Sequence, residues 1–137
     1  MSVARLSRVR WPVLAAAVTA ALFLALQLRD PHRHGSWGFC PWRSVTGWDC
    51  PGCGGLRAMN DLGHGHLAAA WHSNLLVVAS IPVVLVCWAL WLRHDWRGGG
   101  WQPSTRTWQL VLGGYAVLAV AFAVFRNTPW GAALWVA

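Results

Sequence analysis

Three long apolar blocks, separated by polar and turn-rich stretches, divide this chain. Residues 12–28, 75–92 and 108–125 hold no charged side chain. Each block is about 17 to 18 residues long, or about 26 Å as a helix, enough to cross the hydrocarbon core of a bilayer. The pattern predicts an all-α integral membrane protein, a single membrane domain over residues 1–137 with three transmembrane helices. Pro12 suits the first turn of the first helix, where its missing N–H costs nothing. The run closes on Leu26-Gln27-Leu28-Arg29-Asp30 without a small-x-small cleavage pattern, so an uncleaved span is expected rather than a signal peptide. Ser73 or Asn74 can cap the second helix, and Pro82 should kink it. Gly113 and Gly114 would let another helix approach the third span closely.

Between the first two spans lies a cysteine-bearing segment, residues 40–72. Leu56, Met59 and Leu62 recur three apart, which predicts a short helix with one apolar stripe. Arg57 and Asp61 are four apart on its other face and are expected to pair. Gly63 and Gly65 end that helix, and a second begins near His66. Both are too short to span, so they should lie in the membrane interface or re-enter it shallowly.

Composition sharpens the membrane assignment. The chain is 56% hydrophobic and 11% charged, where soluble proteins carry about 25% charged residues. Its 12 tryptophans mostly flank the apolar runs, as aromatic belts do. The net charge of +7 could suggest nucleic acid, but the arginines sit beside apolar runs, as topology signals do, and no nucleic-acid partner is expected. The lipid bilayer is the expected partner, with a membrane protein as a further one. The N-tail and second loop hold Arg5, Arg8, Arg10, Arg93, Arg97 and Arg106 in short stretches. Arg29, Arg33, Arg43, Arg57 and Arg126 are spread over the first loop and C-tail. This density places the N-terminus in the cytoplasm of a multi-pass protein of the cell membrane and the cysteine segment outside.

The chemistry concentrates in Cys50-Pro51-Gly52-Cys53-Gly54, with Cys40 upstream. Three chemistries fit. Two thiolates on a tight turn can grip a metal such as zinc; Cys40 makes a third ligand and His64 is the nearest candidate for a fourth. A C-x-x-C pair can also exchange disulfides, with Cys40 resolving, or can simply staple a loop in an accessory subunit. His32 and His34 read as solvated loop residues, and Cys87 as a small apolar core residue. Arg126, at the edge of the third run, reads as a snorkelling flank or as the partner of an anion. With no glutamate and four aspartates, acid–base catalysis has few candidates, and no reaction or substrate follows.

Cys40-Pro41, Thr46-Gly47, Cys50-Pro51-Gly52-Cys53-Gly54, Arg57-Ala58, His64-Gly65, Asn74, and Arg126-Asn127 with Pro129 resemble the domain of unknown function 2752 family, whose members are small bacterial membrane proteins. The resemblance runs roughly over residues 40–129. It departs at Leu56, where threonine is expected, and at Leu75, where proline is common. It implies a membrane protein whose site lies in the cysteine segment, and it supplies no reaction.

Overall fold

The computed structural model describes residues 3–33, 35–99 and 103–135, all helix and loop without a strand among them. Three long helices, α1 (Val3–Leu28), α5 (Leu75–Trp96) and α6 (Thr105–Arg126), are long and apolar enough to cross a membrane. Short helices fill the first connection: α2 (Pro41–Thr46), α3 (Gly55–Gly63) and α4 (Leu67–Ser73). A last turn, α7 (Pro129–Ala132), follows α6. His34 and Gly100 lie outside the described residues.

The distribution of burial is that of a membrane protein. Leu14, Val18, Leu22, Val84, Leu112 and Val120 are all exposed along the spans, while Asn60, Asp61, Ser73, Asn74 and Arg126 are buried. In water such an arrangement would strand apolar surface and desolvate polar groups at once. In a bilayer the spans are solvated by lipid, and these polar residues gather at one end, where they hydrogen-bond to backbone carbonyls or, for Ser73 and Asp61, to each other.

Helix limits differ from the sequence expectation at three ends, one of them that of α5, which runs on to Trp96 rather than Leu92. α1 starts at Val3 and places Pro12 well inside the helix rather than in its first turn. Nothing upstream breaks a helix, and proline removes only one backbone bond. Pro12 is fully buried, and the indole N–H of Trp88 donates to its carbonyl at 3.0 Å, joining α1 to α5 in the apolar region. α6 begins at Thr105 because Ser104 caps it, accepting from the Thr107 N–H. α5 continues through Pro82.

α1 packs against α5 and α3, and α3 against α4. The interfacial helices are tied to the end of α1 by Asn60, whose Nδ2 donates to the Leu26 carbonyl at 2.7 Å, and by Gln27, whose amide reaches the Met59 carbonyl. α6 stands mostly apart along its length: a Cβ on Gly113 or Gly114 would meet nothing, so no described residue of this chain takes the close approach those glycines permit. Cys87 is exposed on α5 rather than packed in a protein core, because neighbouring elements cover only part of that helix.

Candidate metal centre

Local turns bring the three cysteines together. Cys40 is the N-cap of α2, with Pro41 beginning the helix. Gly47 ends α2 in the left-handed conformation, φ 73°, and reverses the chain toward Cys50. Two overlapping turns follow: the Cys53 N–H donates to the Cys50 carbonyl and the Gly55 N–H to the Gly52 carbonyl. Gly54, at φ 79°, then opens α3; a Cβ there would collide with the Ser73 carbonyl, so only glycine fits.

The result is a cluster. Cys40 Sγ lies 3.5 Å from Cys50 Sγ, and Cys50 Sγ lies 2.8 Å from Cys53 Sγ. The three sulfurs fall within 4.8 Å of one another, close enough to hold a metal ion, and all four cysteines of the chain are free. The Cys40 thiol is shifted below its ordinary pKa, chiefly because the Arg43 backbone N–H points at its sulfur. Burial, with hydrogen bonds from Cys50 and Cys40, pushes the Cys53 thiol up to about 12.

The turn is clamped from two sides by spanning helices. From α5, Asn74, fully buried, donates through Nδ2 to the carbonyls of Pro51 and Cys53, both at 2.9 Å, while its Oδ1 caps α5 by accepting from the Val77 N–H. From α6, the Arg126 guanidinium donates to the Cys53 carbonyl, and the Asn127 amide both donates to and accepts from the backbone of Asp49 at 2.9 Å. Arg126 is 2% exposed, yet its Nε and Nη2 have no hydrogen-bond partner among the described residues. Its nearest anion is Asp49, whose Oδ2 lies 3.8 Å from Nε and whose Oδ1 is 3.2 Å from Arg43. Arg126 is therefore a buried cation beside the cysteines and not a snorkelling flank.

Other expected site residues fall elsewhere. His64 is not in the sulfur group: α3 separates it from the turn by about 14 Å of helix, and its Nδ1 bonds the Asn60 carbonyl at 2.9 Å. Asp61 does not pair with Arg57. It is buried, and its carboxylate meets His32 Nε2 and the Ser73 hydroxyl, each at 3.0 Å. Its face of α3 turns inward, toward the loop after α1, and Arg57 makes no ion pair among the described residues. His32 stays on an exposed loop, as expected, and its Nε2 also forms half of a latch between that loop and α3. Arg57→Ala is expected to change stability by no more than about 0.5 kcal/mol. Asp61→Ala, which leaves the buried Ser73 hydroxyl unmatched, should cost about 1–3 kcal/mol in detergent unfolding. Equal small effects would mean that the latch carries no stability.

Sequence reasoning missed three contributors: Asp49, the His32 latch and the clamping role of Asn74. Only Asn74 left a signal, as a helix-capping residue between two apolar segments.

Residues 40–88 match the model of the family described as Protein of unknown function (DUF2752), which agrees with the resemblance read from the cysteine segment. The match takes in all three clustered cysteines and Asn74 and ends within α5; Arg126 and Asn127 lie beyond it. No curated protein and no solved structure matches the chain.

Proposed function

We propose that the DUF2752 segment of this chain, residues 40–88, builds a thiolate metal centre at the membrane surface, with Cys40, Cys50 and Cys53 as ligands and zinc as the ion. The observation that carries this is the convergence of three sulfurs from two separate helix starts. A single disulfide needs only two of them, whereas a soft or borderline metal uses all three. Charge supports the same reading. Three thiolates around a divalent ion leave one net negative charge, and the buried Arg126 guanidinium beside the turn supplies one positive charge with donors to spare. No further histidine, cysteine or carboxylate among the described residues joins the group. The fourth position then belongs to water or an external ligand, as in centres that exchange ligands rather than closed structural ones.

Metal analysis of detergent-purified protein kept anaerobic tests this. About one zinc per chain is expected, and each of Cys40→Ser, Cys50→Ser and Cys53→Ser should lose most of it. Metal-free protein in which Cys40, Cys50 and Cys53 are all alkylatable overturns it.

A second reading, membrane thiol–disulfide exchange, draws on the short Cys50–Cys53 approach and the acidified Cys40 thiol. A lowered pKa puts more Cys40 in the nucleophilic thiolate form at neutral pH, while Cys53 stays protonated until far higher pH. Exchange activity without bound metal is the result that would favour it.

In this proposal the N-terminal tail and the α5–α6 loop face the cytoplasm and the cysteine segment faces outward, as arginine density supports. Val45, on α2, is highly exposed. A membrane-impermeant maleimide should label Val45→Cys in intact cells; label only after lysis inverts the orientation.

A further inference from the structure

At the end of α5 remote from the cysteines, the helix presents a shallow groove of about 360 Å³ lined by Trp88, Ala89, Leu92, Arg93, Trp96 and Arg97. We propose that this groove binds an anionic phospholipid, its phosphate on Arg93 and Arg97 and its acyl chain along Trp88, Ala89 and Leu92.

Three features favour that occupant. The first is position. Arg93 lies nineteen residues after the Asn74 cap, about 28 Å along a helix, which is close to the thickness of the hydrocarbon core. The groove therefore begins in the acyl region and ends at the headgroups, and its mainly apolar floor opens on the lipid-facing side of a span. A water-soluble anion would have no use for that floor. The second is charge. Arg93 and Arg97 are exposed, one helical turn apart, and neither forms an ion pair among the described residues. Asp95, the acidic residue between them, is buried. Two guanidiniums one turn apart on the same face can take a phosphate from two directions, each through paired N–H donors. Arg8 approaches from α1, donating to the Gly98 carbonyl at 3.3 Å, and adds positive charge at the same level. The third is the aromatic lining. Trp88 has its N–H engaged by the Pro12 carbonyl, which fixes the ring as a wall of the groove. Trp96 stands at the headgroup end, where indoles favour the interface. A zwitterionic lipid would bring a second, positive group to a site that is already cationic. An anionic headgroup brings only the charge that is missing.

Native mass spectrometry of the full chain in detergent, titrated with phosphatidylglycerol or phosphatidylcholine, tests this. The wild-type protein should retain phosphatidylglycerol at least about tenfold more than phosphatidylcholine, which corresponds to one factor of ten in binding constant. Arg93→Gln with Arg97→Gln should abolish most of that preference. Arg106→Gln, which removes an exposed arginine outside the groove, should leave it intact. Ala89→Trp keeps both arginines but fills the floor, and should also lose the lipid, so the test does not depend on the charge variant folding. Equal loss from Arg106→Gln, equal retention of the two lipids, or full retention in Ala89→Trp would each overturn the proposal.

Discussion

Replacing Asn74 by alanine is expected to release the cysteine turn and lower stability by about 3–5 kcal/mol. The estimate follows from what the side chain holds. Its Oδ1 caps α5, a contribution of about 1 kcal/mol. Its Nδ2 serves the Pro51 and Cys53 carbonyls. The residue is fully buried, so water is poorly placed to replace it, and an unsatisfied buried acceptor costs about 1–3 kcal/mol. The Cys53 carbonyl keeps Arg126, which holds the total below the simple sum. Asn74→Asp separates the two jobs: it retains the capping oxygen and loses both donors. It should keep α5 capped and still lose much of the metal, because the turn that carries Cys50 and Cys53 is no longer held. Thermal unfolding in detergent together with metal content reads both. An Asn74→Asp protein with full metal content would show that the clamp is not needed to shape the site.

Arg126→Met is expected to weaken metal binding by about 10–100-fold and to change the stability of the metal-free protein less, since the lost Cys53 and Asp49 contacts are offset by removal of a buried cation with unpartnered nitrogens. The two effects have opposite origins. In the metal-free protein a buried guanidinium with two unpartnered nitrogens is costly, and an apolar side chain of similar length removes that cost. With metal bound, the three-thiolate site carries a net negative charge, and Arg126 is the buried cation beside it. Arg126→Lys keeps the charge but not the fork that reaches the Cys53 carbonyl, and should fall between the two. Binding isotherms and unfolding of the metal-free form are the measurements. A variant that binds metal normally but unfolds easily would make Arg126 a structural tie and nothing more.

The membrane architecture was legible because span length and lack of charge are properties of the local sequence. Helix ends were less so: Pro12 marked a start that the arginine-rich tail overran, since proline is compatible with a helix whose other bonds continue. The C-x-x-C pair was equally local, and Thr46-Gly47 signalled a reversal that brings in Cys40. What could not be read were contacts set by packing. Spacing suggested that Arg57 and Asp61 pair, a rule for exposed helix faces, whereas Asp61 turns inward to His32 and Ser73. Proximity in sequence suggested His64 as a ligand, but an unbroken α3 carries it away from the turn. Arg126 and Asn127 follow the cysteines by more than seventy residues, and only the arrangement of α6 in the fold brings them to Asp49 and Cys53.

X-ray absorption at the zinc edge of the anaerobically purified protein tests the three-cysteine centre most directly, because it counts the sulfurs on the ion. Three sulfur neighbours at about 2.3 Å and one nitrogen or oxygen at about 2.0–2.1 Å are expected, with the sulfur count falling in each single cysteine variant that keeps residual metal. A shell of nitrogen and oxygen alone, or one that Cys40→Ser leaves unchanged, would contradict it.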